Sequence, residues 1–460
     1  IDFSKRLDYL IRYPHGCVEQ TTSAAFPQLF LSEVIDISSQ KNQEVQNNIK
    51  EAIHKLGFYQ NASGGFSYWQ GERTSDDWST NYVGHFMLEA KAKGYVLPIG
   101  FLDNWLTYQQ DAARKWRSRS RTNSAQLVQA YRLYTLALAG KPEMAAMNRL
   151  RENKALSNEA KWRLAAAYAI AGQEQVAKDL SKTAHVDFYT SNLDDYTYGS
   201  VFRNRAMALE TMVLIDDQQQ RAFAEGIAKN LSSENWYSTQ ETAYALLSLA
   251  KMLKKAGGKS IDITYTENGS SQSVQSQKPL ALRSITIHKG EAAIEVFNNM
   301  NNKIYVRLIQ SGKLPVGKEL KTSRNLSLVT QFLDGENKLM DVTSLKQGTA
   351  ITAKINIVNK SSDKISNLAL TQFFPSGWEI VNTSFTEAKA GTSGSARYVD
   401  IRDDRVAFYF DLEPKENRSF YVKLNASYLG TYYLPGAQAE AMYDHNYMAR
   451  NKGKWIQVEQ

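Results

Sequence analysis

A chain of 460 residues, 43% hydrophobic and 22% charged, is long enough for two to four compact units and carries no low-complexity tract that would keep it unfolded. Its formal charge of +8 is dispersed, so no nucleic-acid surface is indicated, and no run of about eighteen apolar residues is present to cross a membrane. The single cysteine, Cys17, excludes an intramolecular disulfide and every zinc site built on several cysteines.

The chain opens on Ile1-Asp-Phe-Ser, which reads as interior sequence, so a fragment is expected whose export signal or anchor lies upstream. From residue 1 to 256 the helical period dominates. Apolar residues three and four apart predict helices at Ala125 to Ala139, Ala160 to Ala171, Arg203 to Ile215, Gln220 to Leu231 and Thr239 to Leu253. The densest basic stretch, Arg114 to Arg121, has four arginines and one lysine and reads as a solvated helix end or loop. Two aromatic turns interrupt the series, Gly64-Gly-Phe-Ser-Tyr-Trp69 with Trp78-Ser-Thr80 after it, and Trp236-Tyr-Ser-Thr239. In each, a Trp precedes a Ser-Thr pair and a new helix, as for a capped helix packed on an aromatic rim. The repetition resembles an α/α-toroid, in which inner and outer helices alternate.

After Ala256-Gly-Gly258 the period becomes two, which predicts strands at Ser260 to Tyr265, Ser284 to His288 and Ile304 to Ile309. Gly312 to Ser323 reads as a link. Further strands, Ile351 to Val358, Val406 to Phe410 and Ser419 to Leu424, are spaced by turns as a sandwich requires.

The segment that carries chemistry is Tyr13-Pro-His-Gly-Cys17-Val-Glu-Gln20-Thr-Thr. At a helix start, Cys17 and Gln20 fall on neighbouring turns, so the thiol reaches the side-chain amide. Displacement of ammonia by sulfur would close a thioester ring of roughly fifteen atoms. A thioester carbonyl is open to amines, hydroxyls and water and must be kept dry until used. Tyr13, one turn earlier, is a candidate shield. On spacing alone, a buried structural cysteine is the competing reading.

Pro-His-Gly-Cys-Val-Glu-Gln resembles the Gly-Cys-x-Glu-Gln signature of the alpha-2-macroglobulin and complement thioester proteins, in its bacterial form. The resemblance implies a multidomain α plus β chain with an α/α-toroid thioester domain over 1–256. A portion of a CUB-like β-domain over 257–322 and a C-terminal macroglobulin-type β-sandwich, equivalent to a receptor-binding domain, over 323–460 complete it. Phe374 to Ile380, Arg402 to Val406 and Leu434 to Tyr443 carry the last part of the likeness. By resemblance, Cys17 is the leaving thiol and Gln20 the acyl donor. Gly16 and Glu19 support them, and Tyr13 with Met442 and Tyr443 covers the bond. A second reading of Glu19, a helix-start carboxylate near the dipole, stays open beside its role in orienting the loop.

The implied activity is that of a single-use covalent protease trap, an endopeptidase inhibitor and not a turnover enzyme, with no cofactor or metal. Its implied partners are proteases, acylated on lysine amines, and the upstream macroglobulin and bait domains of the full-length protein. Nucleic acid is not among them, and a membrane is reached only through an upstream anchor. The bacterial motif and the lack of disulfides imply the periplasm or cell envelope, through a lipoprotein anchor. Some complement members use a distant histidine for transfer to hydroxyls, but Phe86 to Ala184 contains none, so direct attack by amines is expected.

Three other readings remain. Cys17 with His15 as base would make a cysteine hydrolase, though two residues apart they seldom face each other and no orienting third group is evident. A toroid enzyme acting on terpenoids, prenyl chains or glycans would line a cavity with Trp69, Trp78, Trp116 and Trp236, which otherwise read as core and rim aromatics. Asp76-Asp77 and Asp194-Asp195 read as loop acids and not as a metal site. The third reading is a binding module with a lost thioester. His54, His85, His185, His288 and His445 are scattered and read as structural or solvated.

Overall fold

The fold is taken from a computed structural model of the chain and is described for residues 16–117, 123–188, 197–233, 235–256, 260–267, 269–285, 293–301, 303–309, 314–381 and 396–460. Tyr13, His15, Asp194, Asp195 and His288 lie outside these residues. Two compact units divide the chain, Ile1–Ile309 and Gln310–Gln460.

In the first unit, helix follows helix: α1 (Val18–Ala25), α2 (Gln28–Val34), α3 (Ser39–Gly57), α4 (Asp77–Ala92), α5 (Phe101–Lys115), α6 (Asn123–Leu138), α7 (Met144–Arg151), α8 (Asn158–Ile170), α9 (Glu174–Lys182), α10 (Val201–Ile215), α11 (Gln220–Leu231) and α12 (Thr239–Ala256). Among the described residues, α1, α4, α6, α8, α10 and α12 each pack on the next, and α12 returns to α1, so the six close a ring. The others lie outside it, α5 against α4 and α6, α9 against α8 and α10, α11 against α10 and α12. Composition explains the layering. In α6 the run from Leu127 to Ala137 is buried on every face, whereas α9 buries only Ala177 and Ser181, the narrow stripe of an outer helix.

Caps fix where these helices begin. Ser38, Asp76, Ser157 and Ser200 accept hydrogen bonds from the backbone N–H three residues on, each worth about 1 kcal/mol. Ser238 and Glu241 form a reciprocal box at the start of α12, with Ser238 N donating to Glu241 Oε2 at 2.7 Å and Glu241 N to Ser238 Oγ at 3.2 Å. The two aromatic turns therefore differ. After Trp236 the Ser is the cap as expected, but the cap of α4 is Asp76, and Trp78, Ser79 and Thr80 lie inside the helix and are buried.

The ring is followed by a small antiparallel sheet ordered Ser270–Ser276, Ile261–Glu267 and Ile294–Asn298. Ile35–Asp36 pairs in parallel with Leu280–Ala281. The strand expected at Ile304 to Ile309 does not form, and Tyr305, Val306 and Leu308 are exposed. An alternating pattern makes a strand only when a neighbour completes its hydrogen-bond ladder, and none does so among the described residues.

The second unit is a β-sandwich. One sheet runs Tyr398–Ile401, Arg405–Leu412, Ile365–Phe373, Gln438–Ala441, Asp444–Arg450, Thr322–Arg324; a second runs Trp378–Ile380, Asn417–Ala426, Ala350–Asn359, Leu326–Leu333; a third, smaller one runs Gly430–Leu434, Lys454–Glu459, Ser344–Lys346. Strict alternation along Ala350–Asn359 puts Ile351, Ala353, Ile355 and Ile357 in the core with Phe408, Phe420 and Trp378. The segment read as a link runs into this unit, since Thr322 already pairs with Arg450.

Candidate functional site

Cys17 is the N-cap of α1, fully buried, and accepts a hydrogen bond from Gln20 N at 3.5 Å through its sulfur. In return Gln20 Oε1 accepts from Cys17 N at 3.3 Å. The capping geometry itself thus folds the amide of Gln20 back over the thiol, with its carbonyl oxygen on a main-chain donor at the positive end of a helix. Gly16 makes room for it. Its φ is +98°, and a Cβ built there would stand 2.1 Å from Gln20 Oε1 and 3.0 Å from Gln20 Cδ. The Gly16 carbonyl accepts from Tyr59 Oη at 2.7 Å, and Val18 N donates to Tyr68 O at 3.2 Å, which fastens both sides of Cys17 to the aromatic turn.

Glu19 is buried and faces away from a solvent role. Its Oε1 accepts from Ser23 Oγ at 2.5 Å, and its two oxygens accept from Thr239 Oγ1 at 3.2 and 3.1 Å. Ser23 in turn meets Tyr82 Oη at 3.0 Å. The carboxylate therefore ties the first helix of the ring to the start of the last. Glu19 sits in the first turn of α1, and its contacts join that turn to Thr239.

Tyr68 is the residue that sequence reasoning missed. It is buried, packs on Tyr198 with ring centroids 4.9 Å apart, and its hydroxyl lies within hydrogen-bonding reach of Cys17. Burial, then the neighbouring Cys17, holds its phenol well above the usual range, so it stays protonated. Tyr198 Oη donates to Asp76 Oδ2 at 3.3 Å, and burial raises the Asp76 carboxyl. The Gly-Gly-Phe-Ser-Tyr-Trp turn was visible as a motif, but nothing in the chain order points its tyrosine at Cys17.

Met442 and Tyr443 lie in the second unit, on the turn between Gln438–Ala441 and Asp444–Arg450. Met442 is buried, its N–H on Asn367 O at 3.0 Å; Tyr443 is half-buried.

A second cluster lies within the ring. His85 and Glu89 on α4, Tyr134 on α6, Arg163 on α8, Glu210 on α10 and Lys251 on α12 meet there. Glu210 binds Arg163 at 2.8 Å and Lys251 at 2.7 Å, and Lys251 also reaches Glu89 at 2.5 Å. His85, Glu89 and Glu210 have the donor atoms for a cation, but Lys251 already sets a charged nitrogen against both carboxylates. His85 meets Tyr131 Oη at 3.0 Å and Tyr134 Oη at 3.3 Å, and burial lowers its pKa, keeping it neutral near pH 7. It is a core histidine. Trp69 and Trp78 are buried likewise, with Arg203 stacked 4.2 Å over Trp78, and Asp77 pairs with Arg132 at 2.7 Å. These contacts belong to packing, whereas Trp116 is half-buried and Trp236 exposed.

Two family profiles match the chain, one described as the A-macroglobulin TED domain over residues 2–127 and one as the bacterial alpha-2-macroglobulin MG10 domain over residues 326–446. Alpha-2-macroglobulin of Escherichia coli (strain K12) is 24% identical over 96% of this chain and 28% of its own length, and that of Pasteurella multocida is 23% identical over 95% and 24%. The chain therefore spans about a quarter of the length of these curated relatives. Among solved structures, native E. coli alpha-2-macroglobulin from domain MG7 to the C-terminus superposes with a TM-score of 0.77 at 19% identity, over 100% of this chain and 76% of that one. Salmonella alpha-2-macroglobulin reacted with methylamine gives 0.78 at 18% identity, over 100% and 31%. With two domain profiles, relatives aligned along nearly the whole chain and a shared fold in agreement, the chain belongs to the alpha-2-macroglobulin family.

Proposed function

We propose that this chain is the reactive portion of a protease trap, in which Cys17 and Gln20 are joined as a thioester that acylates a captured protease once. The observation that carries the reading is the reciprocal Cys17–Gln20 pair, folded back over a glycine with its sulfur buried. Closure requires attack of the Cys17 sulfur on Gln20 Cδ with loss of ammonia. In the trapping step a lysine amine attacks the same carbon, the C–S bond breaks with its electrons on sulfur, and an amide remains. Through attack, the Cys17 N–H and the helix N-terminus stabilise negative charge on Oε1. Until then the shielding residues keep water from Gln20, which by itself is only half-buried.

Within this proposal Tyr13, Met442 and Tyr443 shield the bond, and upstream bait and macroglobulin domains supply the trigger. The three-part division at 256 and 322 and a periplasmic or envelope location complete it. The reaction of the Salmonella relative with methylamine supports an amine-sensitive bond here. The test is thiol labelling: iodoacetamide leaves the fresh chain unlabelled at Cys17 and labels it after methylamine, with methylamine outcompeting glycerol for the acyl group. Immediate labelling of fresh protein would refute the thioester, and a preference for glycerol would refute direct amine attack.

A further inference from the structure

We propose that Tyr68 is a catalytic residue of the thioester site, its hydroxyl donating a hydrogen bond to the Cys17 sulfur as the C–S bond breaks. The inference rests on the thioester reading above and adds the group that receives the leaving atom. Tyr68 is placed for this by its main chain as well as its ring. Its carbonyl takes the Val18 N–H at 3.2 Å, so the residue after the thiol is bonded to it directly. Its ring is buried between Trp69, edge-on at 5.3 Å, and Tyr198 at 4.9 Å. Tyr198 is itself held in an unusual conformation, φ +50°, with its hydroxyl on Asp76. A bulky residue at positive φ persists only where its surroundings dictate it, and here they wedge it against Tyr68.

The chemistry needs such a donor. When an amine attacks Gln20 Cδ and the tetrahedral adduct collapses, the electron pair of the C–S bond goes to Sγ, and the attacking nitrogen, made cationic by bond formation, loses one of its own protons to solvent. A thiolate left in a fully buried site without donors is strongly disfavoured. Gln20 N–H supplies one donor at 3.5 Å, a long contact to sulfur, and Tyr68 O–H supplies the second. Tyr68 keeps its proton throughout, because its buried phenol resists ionisation. The other titratable groups that act on Tyr68 from the packed elements are Glu19 on α1 and Tyr198 before α10, with Asp76 behind Tyr198 at the start of α4.

Tyr68→Phe removes only the hydroxyl. The chain and this variant are compared by intact mass, by the rate at which methylamine releases the thiol, and by the pH profile of iodoacetamide alkylation after opening. The expected result is release slowed by about tenfold and an alkylation midpoint about one pH unit higher in the variant, the size of one hydrogen bond to a charged atom. If the variant never closes the bond, its free thiol still gives the alkylation profile, and that shift alone decides. Equal rates and superimposable profiles, with the mass deficit present in both proteins, overturn this inference alone. A wild-type chain with no mass deficit overturns the thioester reading and this inference with it.

Discussion

Alanine at position 16 is expected to abolish closure of the Cys17–Gln20 bond while the helical ring stays folded. Two effects combine. The backbone at Gly16 holds φ at +98°, where an L side chain costs about 1–2 kcal/mol, and the added Cβ would lie 2.1 Å from Gln20 Oε1, well inside contact distance. The amide must swing off Cys17 N, and the carbonyl loses both its approach to sulfur and its main-chain donor. Gly16→Ala should therefore carry a free thiol that iodoacetamide labels without methylamine. Far-UV circular dichroism and the melting curve should stay close to wild type, because the atoms nearest the added Cβ all belong to the Gln20 side chain. A Gly16→Ala chain with a protected thiol would show that the turn does not need the missing side chain.

Glu210→Ala is the substitution expected to cost the most stability. Glu210 is buried and bridges Arg163 and Lys251, so its loss takes away the carboxylate that Arg163 pairs with and leaves Lys251 with Glu89 alone. Removing one partner of such a buried pair costs about 3–5 kcal/mol, which lowers the melting temperature by on the order of 10 °C. The same cluster sets a pH dependence. Lys251 and the other cations hold Glu210 far below the usual carboxylate range and Glu89 down to about 2, against the desolvation that opposes them. A carboxylate depressed in the folded state gives stability that is present above its unfolded pKa of 4.5 and lost as pH falls toward 2. His85, depressed from 6.5 by burial, adds a loss in the same direction as the unfolded chain takes up its proton below that pH. Thermal melts from pH 7 to 3 should show stability falling throughout, and Glu210→Ala should flatten the acid limb. A slope as steep in the variant as in wild type would place the acid sensitivity in other groups.

Much of the architecture is legible in the chain because helical and strand periods report burial directly. The helix expected at Gln220 to Leu231 forms over those residues, and the strand expected at Ile351 to Val358 extends by one residue at each end. The failures have physical causes. Ile304 to Ile309 has a strand's alternation without a neighbour to complete its ladder. At Ser79 and Thr80 the cap fell to Asp76, which offers its carboxylate one turn earlier.

The candidate site was half legible. Cys17 and Gln20 are close enough for one helix start to bring them together, and the spacing says so, whereas Gly16 and Glu19 are expected only from the resemblance. Thr239, which holds Glu19 from 220 residues away, and Tyr68, which reaches Cys17 from a different turn, meet these residues only because the ring closes. The same holds for the cluster within the ring. Arg163, Glu210 and Lys251 each sit on a separate helix, and their pairing is a property of the closed circle.

The most direct measurement of the central claim is the intact mass of the fresh chain, followed by peptide mapping across residues 17–20. A closed bond makes the chain lighter than its sequence by one ammonia, about 17 daltons, and methylamine removes the deficit with release of one thiol. A full sequence mass, with an unmodified amide at Gln20 and a free thiol at Cys17 in freshly prepared protein, would contradict the account.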